Sequence, residues 1–137
     1  MTGYAAANGL GLGRGPEATY RRIDLAGRTA TADGPGLVQL LYTELVQSLR
    51  AAAHAAEHRN YPRKSERVTR ATAILYALEA GLDFDAGGEV SRTLAGLYAG
   101  ARREVVKASL GHDPAPFRAV ATNLEEIAQA WATVRAG

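Results

Sequence analysis

The sequence predicts an all-α protein: an antiparallel up-down four-helix bundle with a flexible N-terminal arm and a short N-terminal helical segment. Three observations carry this. Four stretches place apolar residues at alternating spacings of three and four, the period of a helix with one buried face. Glycine, proline, asparagine and aspartate punctuate the gaps between them. No stretch shows the apolar-polar alternation of a half-buried strand. A chain of 137 residues, 47% of them hydrophobic, is large enough for one core, and the short connections force neighbouring helices to run antiparallel.

Residues 1–15, MTGYAAANGLGLGRG, offer little that would offset the entropy of ordering them and are read as the flexible arm, leaving residues 16–137 as a single domain. Their glycines do not complete a dinucleotide-binding fingerprint, and no strand pattern precedes them. A short helix or turn is expected from Glu17 to about Arg28, with Tyr20, Ile23 and Leu25 inward, before TADGPG at 31–36 breaks the chain.

The first bundle helix is predicted from near Pro35 to about His58, stopped by Asn60 and Pro62. Leu37, Leu41, Leu45 and Leu49 recur every fourth residue beside Val38, Tyr42 and Val46, with Leu40 widening the stripe beyond what one neighbour covers. Ala52, Ala53, Ala55 and Ala56 then allow a close helix approach. The second helix, Arg63 to Ala80, carries Val68, Ala71, Leu75 and Leu78 on its seam, with Ile74 beside it and Gly81 as its stop. The third, Ala86 to Leu110, repeats the pattern through Val90, Leu94, Leu97, Ala101, Val105 and Ala108, with Tyr98 and Val106 flanking it. The fourth starts after Asp113 and Pro114 and aligns Phe117, Val120, Leu124, Ile127, Trp131 and Val134.

The junction into the third helix, LDFDAGGEVSRTLAGLY from Leu82 to Tyr98, is the most distinctive stretch. Asp85 is expected to cap the first-turn amides and Glu89 to sit where the helix dipole favours an acid. Gly87 and Gly88 leave that turn without side chains.

Several function classes fall away. Sixteen basic residues against fourteen acidic ones give a net charge of +2, and the basic residues are interspersed with acidic and apolar ones, which argues against nucleic acid. With no cysteine, thiolate metal sites and cysteine catalysis are excluded. The N-terminal stretch lacks the pattern of a signal peptide, and no apolar run approaches the roughly 20 residues of a membrane span. A cytoplasmic protein without membrane insertion is expected. His54-Ala55-Ala56-Glu57-His58 fits the H-x-x-E-H pattern, with two imidazoles one helical turn apart and a glutamate between them, but it falls in the last turn of its helix with no cleft in prospect. An exposed histidine on a bundle also fits a histidine phosphotransfer domain, although Glu57 would repel a phosphoryl group there. No nucleophile elbow is present and the acids are spread singly, so no catalytic function and no cofactor are expected. What exceeds the needs of a core is apolar surface: two adjoining stripes on the first helix, and Ile74, Tyr76, Tyr98 and Val106 off the seams. Such a surface suits a partner helix.

Read together, Tyr20 with Ile23 and Leu25, Thr31-Ala32-Asp33-Gly34, Leu40-Leu41-Tyr42, Asp85 to Glu89, Leu97-Tyr98 and Trp131 stand in the order and at the intervals of one family. Over about four-fifths of its length the chain resembles the flagellar secretion chaperones. It departs from their pattern at Thr43-Glu44, where an aspartate-glycine pair is usual, and at Ser109, where an asparagine is. The resemblance implies a cytosolic chaperone that binds the disordered C-terminal segment of flagellin, prevents its premature polymerisation and aids its export. It implies contacts with the export gate and other assembly factors, and a monomer or weak homodimer when free. Tyr20, Ile23, Leu41, Tyr42, Ile74 and Tyr98 are the expected client-binding residues. The competing readings are a histidine phosphotransfer bundle and an adaptor for another helical client.

Overall fold

The structure, a computed structural model, describes residues 34–136, without the side chains of Pro35, Trp131 and residues 134–136. The arm, Tyr20, Ile23, Leu25 and the expected boundary at residue 15 lie outside the described residues. Four helices follow in order: α1 (Gly34–Glu57), α2 (Tyr61–Ala80), α3 (Phe84–Ser109) and α4 (Ala115–Ala136). No strand occurs among the described residues. The all-α four-helix bundle is therefore observed, with connections of three to five residues between helices. The chain divides into two compact units at Leu40 and Leu41. Of the first unit the opening turns of α1 are described, and all that follows concerns the second, Leu41–Gly137.

From Leu41 onward α1 is the most deeply buried element. Leu45, Leu49, Ala52 and Ala53 have no exposed surface, and Ala55 and Ala56 almost none. Its solvent face narrows to one stripe, Thr43, Gln47, Arg50, His54 and Glu57, spaced four, three, four and three. Side-chain links reach all three other helices: Glu44 pairs with Arg70 of α2 at 3.4 Å, Tyr42 bonds Tyr98 of α3, and Arg50 and Glu57 pair with Glu125 and Arg118 of α4 at 2.9 and 3.0 Å. The excess width of the first apolar stripe is thus a consequence of three neighbours. The run of alanines is what lets them approach closely.

The end of α1 is a Schellman motif without a glycine. Asn60 N–H donates to Ala55 O at 2.8 Å and Arg59 N–H to Ala56 O at 3.2 Å, while Arg59 takes the left-handed conformation at φ 56°. Asn60 therefore does more than stop α1. Its side chain accepts from Arg63 N–H at 3.2 Å and caps α2, with Pro62 in the first turn, where a missing N–H costs nothing.

On α2 the buried series Lys64, Val68, Ala71, Leu75 and Leu78 runs at alternating fours and threes, joined by Ile74. Lys64 opens this series although it is charged. Its Nζ donates to Ser109 O at 3.1 Å and Gly111 O at 2.9 Å, so a cation closes the carbonyl end of α3.

The start of α3 departs from expectation in two ways. The cap is Asp83, whose carboxylate accepts from Ala86 N–H at 2.9 Å, and Asp85 sits inside the first turn. Gly88, at φ 51° and ψ −121°, breaks the helix after that turn, and α3 resumes beyond it. Only glycine adopts this conformation without strain. Gly87 answers a different constraint: a Cβ there would stand 2.0 Å from Ser91 Oγ, which is turned back to donate to Asp83 O at 2.9 Å. Gly87 N–H shares the same acceptor at 2.7 Å. The paired glycines make a kink locked by Ser91 rather than a bare first turn.

Candidate functional site

Beyond the kink, α3 has a different register from the one its leucines suggest. Its buried residues are Ser91, Tyr98, Val105 and Ala108, the first three at heptad spacing. Tyr98 is drawn inward by its partner on α1. The Tyr42 and Tyr98 hydroxyls lie 2.6 Å apart with the rings edge to face at 6.3 Å, and both side chains are 1% exposed. Burial is the main cause that pushes both phenols above their usual range; for Tyr98 the bond from Tyr42 acts in the opposite direction. A residue pair that sequence places beside the seam is in fact its centre.

Turning Tyr98 inward rotates its neighbours outward. Leu94, Leu97 and Ala101 are half-buried and Val90 is 65% exposed, where the apolar spacing had put all four in the seam. The result is a groove between α3 and α4 lined by Leu97, Gly100, Ala101 and Arg103 from one side and Val120 and Leu124 from the other. Val120 and Leu124 form its buried floor. A second concavity adjoins it through Glu104 and runs past Lys107 to Gly111 and Asp113, so one end carries charges of both signs.

Two glycines lie on the helix face that borders this groove. A Cβ at Gly96 would meet nothing within 4 Å, and one at Gly100 only the tip of Arg103 at 3.6 Å. Each glycine in a helix interior costs about 1 kcal/mol relative to alanine. Packing among the described residues therefore gives no reason for either.

The expected client-binding residues are placed differently from one another. Tyr20 and Ile23 lie outside the described residues. Leu41, Tyr42, Ile74 and Tyr98 are 9%, 1%, 6% and 1% exposed, so all four are interior in this conformation. Among the described residues the large apolar side chains that are open are Leu110, Val90, Tyr76, Val106, Phe84 and Tyr61, while Leu94, Leu97 and Ala101 are half-buried. Tyr76 is 60% exposed and lies under the Arg102 guanidinium at 4.1 Å, with Glu79 paired to Arg102. The signal for the groove was present as the excess of apolar residues on α3. Its side could not be read without the Tyr42–Tyr98 bond.

The described histidines are not gathered with a third potential metal ligand. Glu57 Oε1 is held by Arg118 at 3.0 Å, and no group of three or more histidine, cysteine or acidic side chains is placed to enclose a metal among the described residues. His112 is exposed and packs against the Tyr61 ring at 5.4 Å. No described helix is long and apolar enough to cross a membrane.

Fold and surface together define the class: an all-α helical bundle with a groove between two of its helices. Residues 16–137 match the family described as Flagellar protein FliS, and the chain belongs to that family. Among its relatives, the Flagellar secretion chaperone FliS of Vibrio cholerae serotype O1 is 26% identical over 118 residues, covering 86% of this chain and 87% of the relative. Flagellar secretion chaperone FliSB of Pseudomonas aeruginosa is 27% identical, covering 82% and 89%, and Flagellar secretion chaperone FliS of Salmonella typhimurium is 28% identical, covering 82% and 84%.

Proposed function

We propose that this protein is a cytosolic chaperone of flagellum assembly that binds the disordered C-terminal segment of flagellin, keeps it from polymerising and delivers it to the export gate. Membership of a family whose relatives are named secretion chaperones supports the export role. The open groove of α3 and α4 is the single observation that carries the binding mode. A segment that folds on binding lays an apolar face at helical spacing into such a groove. Because ordering it costs several kcal/mol, affinity comes from a long wrapped surface rather than one pocket. In this reading Leu97 and Ala101 meet the client directly. Leu41, Tyr42, Ile74 and Tyr98 form the layer beneath, which a client reaches where the helices part, and Tyr20 and Ile23 contribute from the N-terminal segment. Other assembly factors are further partners in this reading, and the free protein is a monomer or weak homodimer.

The test is calorimetric titration of the full chain with a peptide covering the C-terminal segment of flagellin from the same organism. One-to-one binding with a large negative heat-capacity change is expected. Leu97→Asp should weaken it at least tenfold while leaving helicity intact. If the well-folded wild type binds no peptide the chaperone reading fails; if Leu97→Asp binds as well as wild type, the groove is not the site.

A further inference from the structure

The sequence pattern at His54 to His58 is left without a role by the chaperone reading. Both imidazoles are exposed at the end of α1, with their rings 4.1 Å apart and tilted by 30°. Their backbone is fixed rather than frayed, because His58 is the last residue before the left-handed Arg59 and the Schellman bonds close the turn around it.

The hydrogen bonding decides which ring nitrogen is available. His58 Nδ1 lies 2.9 Å from His54 O, the carbonyl that also accepts from His58 N–H at 3.0 Å. A carbonyl oxygen only accepts, so in the neutral ring Nδ1 carries the hydrogen and Nε2 carries the lone pair. An imidazole whose other nitrogen donates to a backbone carbonyl is the arrangement that orients histidine ligands at metal centres. Four residues earlier on the same face, His54 supplies a second ring at chelating distance. Two nitrogens bound at about 2.0 to 2.1 Å to one ion stand roughly 3 Å apart, which rings already 4.1 Å apart reach by rotation of an exposed side chain.

We propose that His54 and His58 form a bidentate binding site for a late first-row divalent metal ion, its remaining coordination positions taken by water. Glu57 is paired with Arg118 at 3.0 Å, which leaves the two imidazoles as the protein's ligands. Imidazole donors without a carboxylate or carbonyl cage select Ni2+, Cu2+ and Zn2+ over Mg2+ and Ca2+. Occupation staples the last turn of α1 to its cap, because both ligands reach one ion only while that turn is helical.

The experiment uses the full chain without a polyhistidine tag, titrated with NiCl2 in a calorimeter. One Ni2+ per chain is expected, with affinity lowered at least tenfold in His54→Ala and in His58→Ala and unchanged in His112→Ala, and with no binding of Mg2+. The melting temperature should rise with Ni2+ in the wild type and not in the double variant. Both substituted side chains are exposed, and circular dichroism checks that the variants fold. Nitrogen-15 NMR of the imidazoles should show the hydrogen of neutral His58 on Nδ1. Absence of saturable binding, Ni2+ affinity retained in the double variant, or the hydrogen on Nε2 of His58 would each overturn the site.

Discussion

The Tyr42–Tyr98 pair shows how one buried contact sets the chemistry of its surroundings. Each hydroxyl lies in the interior and each is the other's hydrogen-bond partner. Replacing one tyrosine by phenylalanine weakens the polar partnership of the other, and a buried hydroxyl left short of partners costs about 1 to 3 kcal/mol. Tyr42→Phe and Tyr98→Phe should each destabilise by that order. The double variant should lose much less than the sum, read from urea midpoints in a double-mutant cycle. The same burial makes a pH prediction. Both phenols ionise at higher pH in the folded protein than the ordinary value of 10.0. The folded state therefore retains protons that the unfolded chain releases, and the stability present below pH 10 is lost as pH rises through that window. The loss is about 1.4 kcal/mol per pH unit for each tyrosine held neutral. Urea titrations at pH 9 and pH 11 should show a larger fall for the wild type than for the double phenylalanine variant; equal falls would refute the assignment. Gly87 offers a second test at this scale. Gly87→Ala drives a methyl into Ser91 Oγ and breaks its bond to Asp83 O, which should cost about 1 to 3 kcal/mol. Combining it with Ser91→Gly should recover part of the loss by removing the clash, and melting curves of the three variants decide this.

At the scale of elements, the termini record what local chemistry can and cannot announce. The helix spans follow from punctuation and periodicity to within two residues, because proline, asparagine and glycine act through local geometry that is readable in a sequence. The exceptions come from tertiary contacts. Asp83 and Asp85 are both competent caps, and it is Asp83 whose carboxylate accepts from Ala86 N–H while its carbonyl accepts from the distant Ser91 hydroxyl. Val90, Leu94, Leu97 and Ala101 have correct seam spacing, yet the inward Tyr98 and the Gly88 break rotate them toward the groove. Lys64 occupies a core register position that no apolar pattern would assign to it, and the reason lies 45 residues away in the Ser109 carbonyl. Arg59 marks a terminus that the sequence disguises: the motif wants glycine at this position, and arginine carries the cost of a left-handed backbone. Arg59→Gly should therefore stabilise the protein by about 0.5 to 1 kcal/mol, since relief of that strain exceeds the added freedom of the unfolded chain. A higher urea midpoint with unchanged slope would bear this out, whereas a lower one would show that the arginine side chain holds the turn.

For the molecule as a whole, the division of labour runs between α1, which has almost no free apolar surface beyond Leu41, and α3, which keeps part of its own uncovered. Stability and partner binding should accordingly separate by substitution. Gly96 and Gly100 make the separation sharpest, because each weakens α3 while no described residue occupies the space above Gly96 and only the Arg103 tip approaches Gly100. If stability alone had shaped α3, alanine would serve better at both positions. The double change Gly96→Ala and Gly100→Ala should raise stability by about 1 to 2 kcal/mol through helix propensity. In the same variant a client helix that packs its backbone close to α3 would be held away by two methyl groups, and flagellin-peptide affinity should fall. Paired measurements on one preparation, a urea titration and a calorimetric titration with the peptide, test both halves. A rise in stability with lowered affinity identifies the glycines as surface kept open for the client. A rise in stability with unchanged affinity places the close approach elsewhere, and a fall in stability would show that the two positions serve the bundle's own packing.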